Sequence, residues 1–277
     1  MKYLFAILLT LLSYSAHAKE WTAVQGDILA VTVFSQANIT GVQALGKNWP
    51  VKQIKTGVWQ AWIGIDLKKK AKNYWVIWHT SNKHDIKDLL KVKAGVFRIS
   101  RIEVPKKMSN FDAKAVHRIR SDQAAIKASY DMDVPMIPDF SKVYVPVHGI
   151  ESTPFGAQRY VNGQARSPHS GIDIAAVKGT AVVAPLAGKV LLVEKMFLNG
   201  DVMVIGHGSG LVSVYAHLSH FDVHQGEWVK AGQKIAEVGL TGRSTGAHLH
   251  WGVRYQHARV NPESLLKLAK SPGKIAE

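Results

Sequence analysis

The sequence predicts an almost entirely β protein, in two parts separated by a single helix, and three observations predict it. Short apolar runs with period-two alternation recur, as in Ile28-Leu29-Ala30-Val31-Thr32-Val33 and Tyr74-Trp75-Val76-Ile77-Trp78, with turn residues at Gly41, Gly46-Lys47-Asn48, Gly57 and Lys72-Asn73 between them. The same texture returns after Val143, in Ala181-Val182-Val183, Val190-Leu191-Leu192-Val193, Val202-Met203-Val204-Ile205, Leu211-Val212-Ser213-Val214-Tyr215 and His248-Leu249-His250-Trp251. Only between Pro105 and Pro135 does the period become helical, with Val116, Ile119, Ile126 and Tyr130 on one face.

Taken in order, residues 1–18 read as a signal peptide: Lys2, an apolar run from Leu4 to Leu12, then the small-x-small site Ala16-His17-Ala18. Cleavage there leaves a mature chain starting at Lys19, expected to be periplasmic or secreted, and no later stretch reaches the ~20 apolar residues of a transmembrane anchor. Residues 19–105 are expected to form an N-terminal immunoglobulin-like β-sandwich. Its tryptophans Trp49, Trp59, Trp62, Trp75 and Trp78 read as core more than as a sugar-stacking platform, and His79 and His84 read as surface residues without an acidic partner. Residues 106–141 are a short helical linker. Ser109-Asn110-Phe111-Asp112 has the form of a capping box for a helix over 112–130, and Pro135 and Pro138 mark an extended piece over 131–141. A second all-β domain follows over 142–270, with a tail at 271–277. A faint internal repeat sets Gly179, Val182 and Ala184 against Gly226, Val229 and Ala231.

The chain has no cysteine, so any metal must be held by nitrogen and oxygen. Its formal charge of +15, of which only Lys2 leaves with the signal peptide, favours anionic polymers. Outside the cytoplasm these are cell-wall glycan and other anionic envelope polymers. Nucleic acid is not expected, because the basic residues are scattered or in short runs such as Lys68-Lys69-Lys70 and no nucleic-acid module is visible. A monomer is expected.

The chemistry-bearing residues fall in two clusters, His169-Ser170-Gly171-Ile172-Asp173 and, further on, Ala216-His217-Leu218 with His248-Leu249-His250. Imidazole and carboxylate are the usual non-thiolate ligands of zinc, and three of them with an open position make a hydrolytic site. Within a strand His248 and His250 share a face. His169 and Asp173 share parity too, but a straight strand would hold them about 13 Å apart. The chain must bend between them, and Gly171 is the residue best able to bend.

In their order and wording, Ser152-Thr153-Pro154-Phe155-Gly156, His169 to Asp173, Gly179-Thr180, Tyr215-Ala216-His217-Leu218-Ser219 and Gly239 to His250 resemble the lysostaphin and LytM-type zinc metallopeptidases over residues 142 to 265. That resemblance implies an all-β catalytic domain with a duplicated hybrid motif and antiparallel sheets, often preceded in exported members by an N-terminal β-domain. It implies one Zn2+ held by His169, Asp173 and His250, with His217 and His248 as catalytic residues. The expected activity is a peptidoglycan endopeptidase cutting peptide cross-bridges, D-alanyl to diaminopimelate in a Gram-negative periplasm or glycine bridges in a secreted enzyme. The alternatives are a non-catalytic wall-binding activator of another hydrolase and a sugar-transport phosphocarrier domain, against which the ligand set, the aspartate and export argue. Arg159 is a candidate for binding a substrate carboxylate or for a loop contact. His207 reads as a turn residue, and His148, His220, His224 and His257 have no assigned partner. In relatives of this family the segment before the catalytic domain sometimes covers the groove, and residues 106–141 are the candidate here.

Overall fold

The computed structural model describes residues 18–105 and 110–270. Nearly all of the signal peptide, Ser109 of the expected capping box and the tail at 271–277 lie outside the described residues.

The first eight strands are β1 (Glu20–Val24), β2 (Ile28–Phe34), β3 (Ile39–Ala44), β4 (Lys47–Trp49), β5 (Val51–Lys55), β6 (Val58–Gly64), β7 (Asn73–Thr80) and β8 (Ile86–Lys93). They form a five-stranded sheet, β1-β8-β7-β3-β4, and a three-stranded sheet, β2-β6-β5. Alternation fixes which side chains meet between them: Val31, Val42, Ile63, Val76, Trp78 and Leu90 are fully buried. The two-sheet packing is the expected one in kind. Its strand order, with β1 parallel to β8, is not something a period-two pattern specifies. Trp49 and Trp78 are core, whereas Trp75 is 55% exposed. The buried carboxylate of Asp88 accepts from the indoles of Trp78 (3.0 Å) and Trp21 (3.2 Å) and from the Lys19 backbone nitrogen (2.9 Å). His79 does have an acidic partner, Asp85 at 2.9 Å, because the turn after β7 brings the two together.

β9 (Ile99–Ile102) belongs by position to the stretch assigned to the sandwich, yet it pairs elsewhere. It runs parallel to β11 (Gln158–Val161) in a sheet with β12 (Gln164–Ala165), after β10 (Ile150–Thr153) has joined the main sheet. The Asn162 side chain clamps Val104 on both backbone groups (2.9 and 3.0 Å), and Phe97 meets Phe155 edge-on.

Helix α1 (Ala113–Ser129) is capped by Asp112, which accepts from Ala115 N at 2.7 Å. It lies on β15 (Gly188–Met196) of the main sheet, where Asp122 accepts from Phe197 N (2.7 Å) and pairs with Arg118 (2.8 Å). Ile126 and Tyr130, followed by Val134 and Met136 of the linker, cover an apolar patch that includes Leu191, Val204 and Val214.

The remaining elements are β13 (Gly171–Ala175), β14 (Ala181–Val183), β16 (Gly200–Gly206), β17 (Leu211–Phe221), β18 (Trp228–Val229), β19 (Lys234–Val238), β20 (His248–Tyr255), β21 (Ala258–Val260) and α2 (Pro262–Lys270). The main sheet runs β10-β13-β20-β17-β16-β15-β18, all antiparallel, with β21 on β20 and with β19 pairing β17 and β14. The repeat seen in the sequence has a backbone counterpart, since Gly179 and Gly226 both turn with positive φ (+88° and +92°). One apolar core runs through both parts: Trp49 contacts Tyr255, Trp62 contacts Phe140, and Arg259 forms a two-pronged pair with Asp66. His207 stands at the turn between β16 and β17, as expected, but not at the surface. It is fully buried in this core.

Candidate metal centre and groove

The centre is built where β13, β20 and β17 lie side by side. Asp173 stands directly opposite His250 across the β13–β20 pair, and Ala216 stands opposite His250 on the other side, so one row crosses the sheet. His169 comes from the irregular segment before β13, and the bend falls at Ser170. Gly171 is required for a different reason than bending: a Cβ there would lie 2.4 Å from the Trp251 carbonyl oxygen. Close strand approach, not turning, excludes a side chain.

Three ligand atoms converge. His169 Nε2 is 2.9 Å from Asp173 Oδ1 and 2.9 Å from His250 Nδ1, and His250 Nδ1 is 2.8 Å from Asp173 Oδ1. The tautomer of His169 follows from the other side of its ring. His169 Nδ1 donates to the Pro154 carbonyl (3.0 Å), so its Nε2 carries a lone pair. Burial pushes His169 down to about 4, against the pull of Asp173, and keeps it neutral at pH 7. Burial also opposes charge on Asp173, but the neighbouring imidazoles outweigh it and hold the carboxyl well below the usual range. Two imidazoles and a carboxylate thus bring ring nitrogens and an oxygen to one spot, which is the donor set of a cation site, and these three residues could hold a metal ion. Arg159 donates to the second oxygen, Asp173 Oδ2, so it orients the carboxylate from behind.

His217 and His248 lie beside this triangle, with ring centroids 4.7 Å apart. His217 has a left-handed backbone, φ +62°, at a register shift where β17 leaves β20 for β19. The bulge aims the imidazole into the groove at the expense of local strain, a placement that strands reserve for special positions. Its Nδ1 donates to the Thr241 carbonyl (2.8 Å). Burial and the neighbouring His250 push it down to about 3, so the ring is neutral with Nε2 free. His248 Nδ1 donates to the Gly246 carbonyl (2.9 Å) and lies 3.0 Å from Ser244 Oγ, and its Nε2 faces the centre, 3.9 Å from Asp173 Oδ1. Two basic nitrogens therefore face a ligand triangle.

The groove above has a volume of about 550 Å³. One wall comes from a region that no motif marked: Ser100, Ile102 and Val104, on and just after β9. Among the described residues of 106–141, none lines it; α1 and the linker pack beside it on the same face of the sheet, where Ile126 and Tyr130 line a separate, smaller hollow with Asn199 and His250. Arg243 also lines the groove. Its only signal in the sequence is its place on the loop that leads to His248. The remaining histidines are elsewhere: His224 pairs with Glu227 (2.8 Å) and His257 with Asp131 (3.5 Å), while His148 and His220 lie outside the groove lining.

The model of peptidase family M23 matches residues 167–262. A crystal structure assigned to peptidase M23 from Pseudomonas aeruginosa superposes with a TM-score of 0.69 at 30% identity, covering 88% of this chain and 94% of that one. The shared architecture therefore takes in the N-terminal sheets as well as the groove. Peptidoglycan DD-endopeptidase ShyB of Vibrio cholerae is 42% identical over 105 residues, 38% of this chain and 25% of its own length. Murein hydrolase activator NlpD of Salmonella dublin is 40% identical over 101 residues, 36% of this chain and 26% of its own length. The chain thus spans about a quarter of either curated relative.

Proposed function

We propose, from the premise that this chain belongs to peptidase family M23, that it is a zinc-dependent endopeptidase of peptidoglycan that acts outside the cytoplasm and cuts the bond from D-alanine to diaminopimelate in peptide cross-bridges. The observation that carries the reading is the convergence of three ligand atoms next to two histidines whose Nε2 atoms are free. His169, Asp173 and His250 would hold one zinc ion, which when bound supplies a Lewis acid for the peptide carbonyl and lowers the pKa of an attacking water. Pro154, Thr241 and Gly246 carbonyls fix the imidazole tautomers, so no proton rearrangement precedes the reaction. Between them, His217 and His248 take the proton of the attacking water, then hydrogen-bond the oxyanion and return a proton to the leaving amine. The ShyB likeness supports the substrate.

Export has support of its own. Cleavage after Ala18 would turn the Lys19 nitrogen, now 2.9 Å from Asp88 Oδ1, into an ammonium facing a buried carboxylate. The likeness to NlpD favours a second reading, a non-catalytic activator. The complete ligand set and both histidines favour catalysis. Digestion of purified cross-linked muropeptide dimers by the chain from Lys19, followed by mass analysis, separates the two. Dimers should become monomers, and a zinc chelator should stop the reaction. Intact dimers in the presence of zinc would leave only the activator reading.

A further inference from the structure

Arg243 sits half-buried in the wall of the groove, its backbone nitrogen bonded to Leu198 O at 2.8 Å. No described residue offers its guanidinium a hydrogen bond or an ion pair. Burial, together with the Arg159 and Arg166 charges nearby, pulls it below the ordinary arginine value. Leaving a cation partly desolvated and unpaired is costly, and proteins keep such an arrangement mainly where a ligand completes it. The other charges of the groove do not complete it. Among the described lining residues the single carboxylate is Asp173, already engaged by Arg159, His169 and His250. The groove is left with an excess of positive charge, which a bound metal ion would increase.

We propose that Arg243 is an anion-binding subsite of the groove, which receives a free carboxylate of the substrate next to the scissile peptide bond. The proposal rests on the endopeptidase reading and deepens it. Arg243 lines the groove with His248, and Arg159, whose charge acts on it, holds Asp173, so a group held by Arg243 lies close to the centre. A planar guanidinium matches a carboxylate with two parallel hydrogen bonds, a geometry that neither a carboxamide nor a hydroxyl reproduces with the same charge. In a cross-linked stem peptide the residue that brings such a group is diaminopimelate, whose second carboxylate stands free of the backbone. The subsite thereby distinguishes cross-bridges with the free acid from those in which it is amidated.

The test uses two soluble muropeptide dimers, identical except that the diaminopimelate carboxylates are free in one and amidated in the other, with the zinc-loaded chain from Lys19. The wild type should favour the free acid by about tenfold or more in kcat/KM, the range expected of a charge-assisted hydrogen-bond pair. Arg243→Gln should bring that ratio close to one, and Arg243→Lys should keep part of it. Because each variant is compared with itself on two substrates, a folding defect does not imitate the result. If neither dimer is cleaved, calorimetric binding of the same two dimers decides. Tighter binding of the free acid that disappears in Arg243→Gln supports the subsite even though the endopeptidase reading fails. A wild-type ratio near one, or a preference unchanged in Arg243→Gln, overturns it.

Discussion

His207 in the core and His169 at the groove floor begin alike and end differently. Both are buried, both are pushed down to about 4, and both donate Nδ1–H to a backbone carbonyl, Ala187 at 2.8 Å and Pro154 at 3.0 Å. At Nε2 they diverge. His207 accepts from Ser213 Oγ (2.7 Å), which in turn accepts from Tyr215 OH (2.8 Å), so every polar atom in that chain is satisfied by protein. Burial raises Tyr215 above the ordinary phenol value, which keeps it the donor. His169 Nε2 instead meets a carboxylate oxygen, lone pair against lone pair, and a second imidazole. Burial and a depressed pKa do not separate a structural histidine from a metal ligand. The balance of donors and acceptors does.

The largest effect should come from breaking the open cluster. Asp173→Ala should remove zinc from the purified chain and abolish cross-link cleavage while a folded β protein remains, since the substitution takes away the one anionic ligand. Elemental analysis and circular dichroism check this, and full zinc occupancy in the variant would refute the ligand assignment. Next come His217→Ala and His248→Ala, which should keep the metal and lose at least ~10²-fold in turnover, because both groups handle protons and not zinc. Turnover near the wild-type rate in either variant would remove that residue from the mechanism.

The smallest effect should come from the closed cluster. Ser213→Ala leaves His207 Nε2 without a donor and should cost about 1–3 kcal/mol of stability in urea unfolding, with zinc content and cleavage intact. Acid sharpens the same contrast. The folded value of His207, about 4, lies below the ordinary 6.5, so between those values the unfolded chain binds the proton that the folded one refuses. Stability is therefore full above pH 6.5 and falls as the pH drops toward 4, by on the order of 3 kcal/mol from this group. Protons entering the His169 cluster compete with the metal as well, so added zinc should shift acid inactivation downward. It should not shift the His207 contribution, and a Ser213→Ala variant whose acid sensitivity tracks zinc concentration would erase the distinction.

The residues of the centre could be named in the sequence because their motifs follow the order and wording of a known family, whereas alternation put His248 and His250 on one face without choosing between them. Asp173 and His250 had to face each other only if β13 paired with β20, and motif order carried that. What was not legible depends on long-range pairing. Nothing in Gly206-His207-Gly208 says that this turn histidine is buried, with its partner Ser213 on the next strand. His79 and Asp85 meet only after a turn closes. Gly171 was marked for flexibility, while the structure needs it for the nearness of Trp251. β9 falls inside the span assigned to the sandwich, and no local pattern there says which sheet receives a strand. The groove wall at Ser100, Ile102 and Val104 was missed for the same reason.

The pairing of β9 with β11 is one of several ties that run from early to late in the chain: the Ile28 amide donates to Ser264 Oγ on α2 at 2.6 Å, and Asp66 receives Arg259. If the chain is exported as proposed, N-terminus first, its folding must therefore wait. Its first sheets reach the translocation exit with polar groups and strand edges whose partners have not yet been delivered, and high contact order makes their closure slow. Until then those edges are open to pairing with a neighbouring chain. The first sheets to be delivered are among the last to be completed.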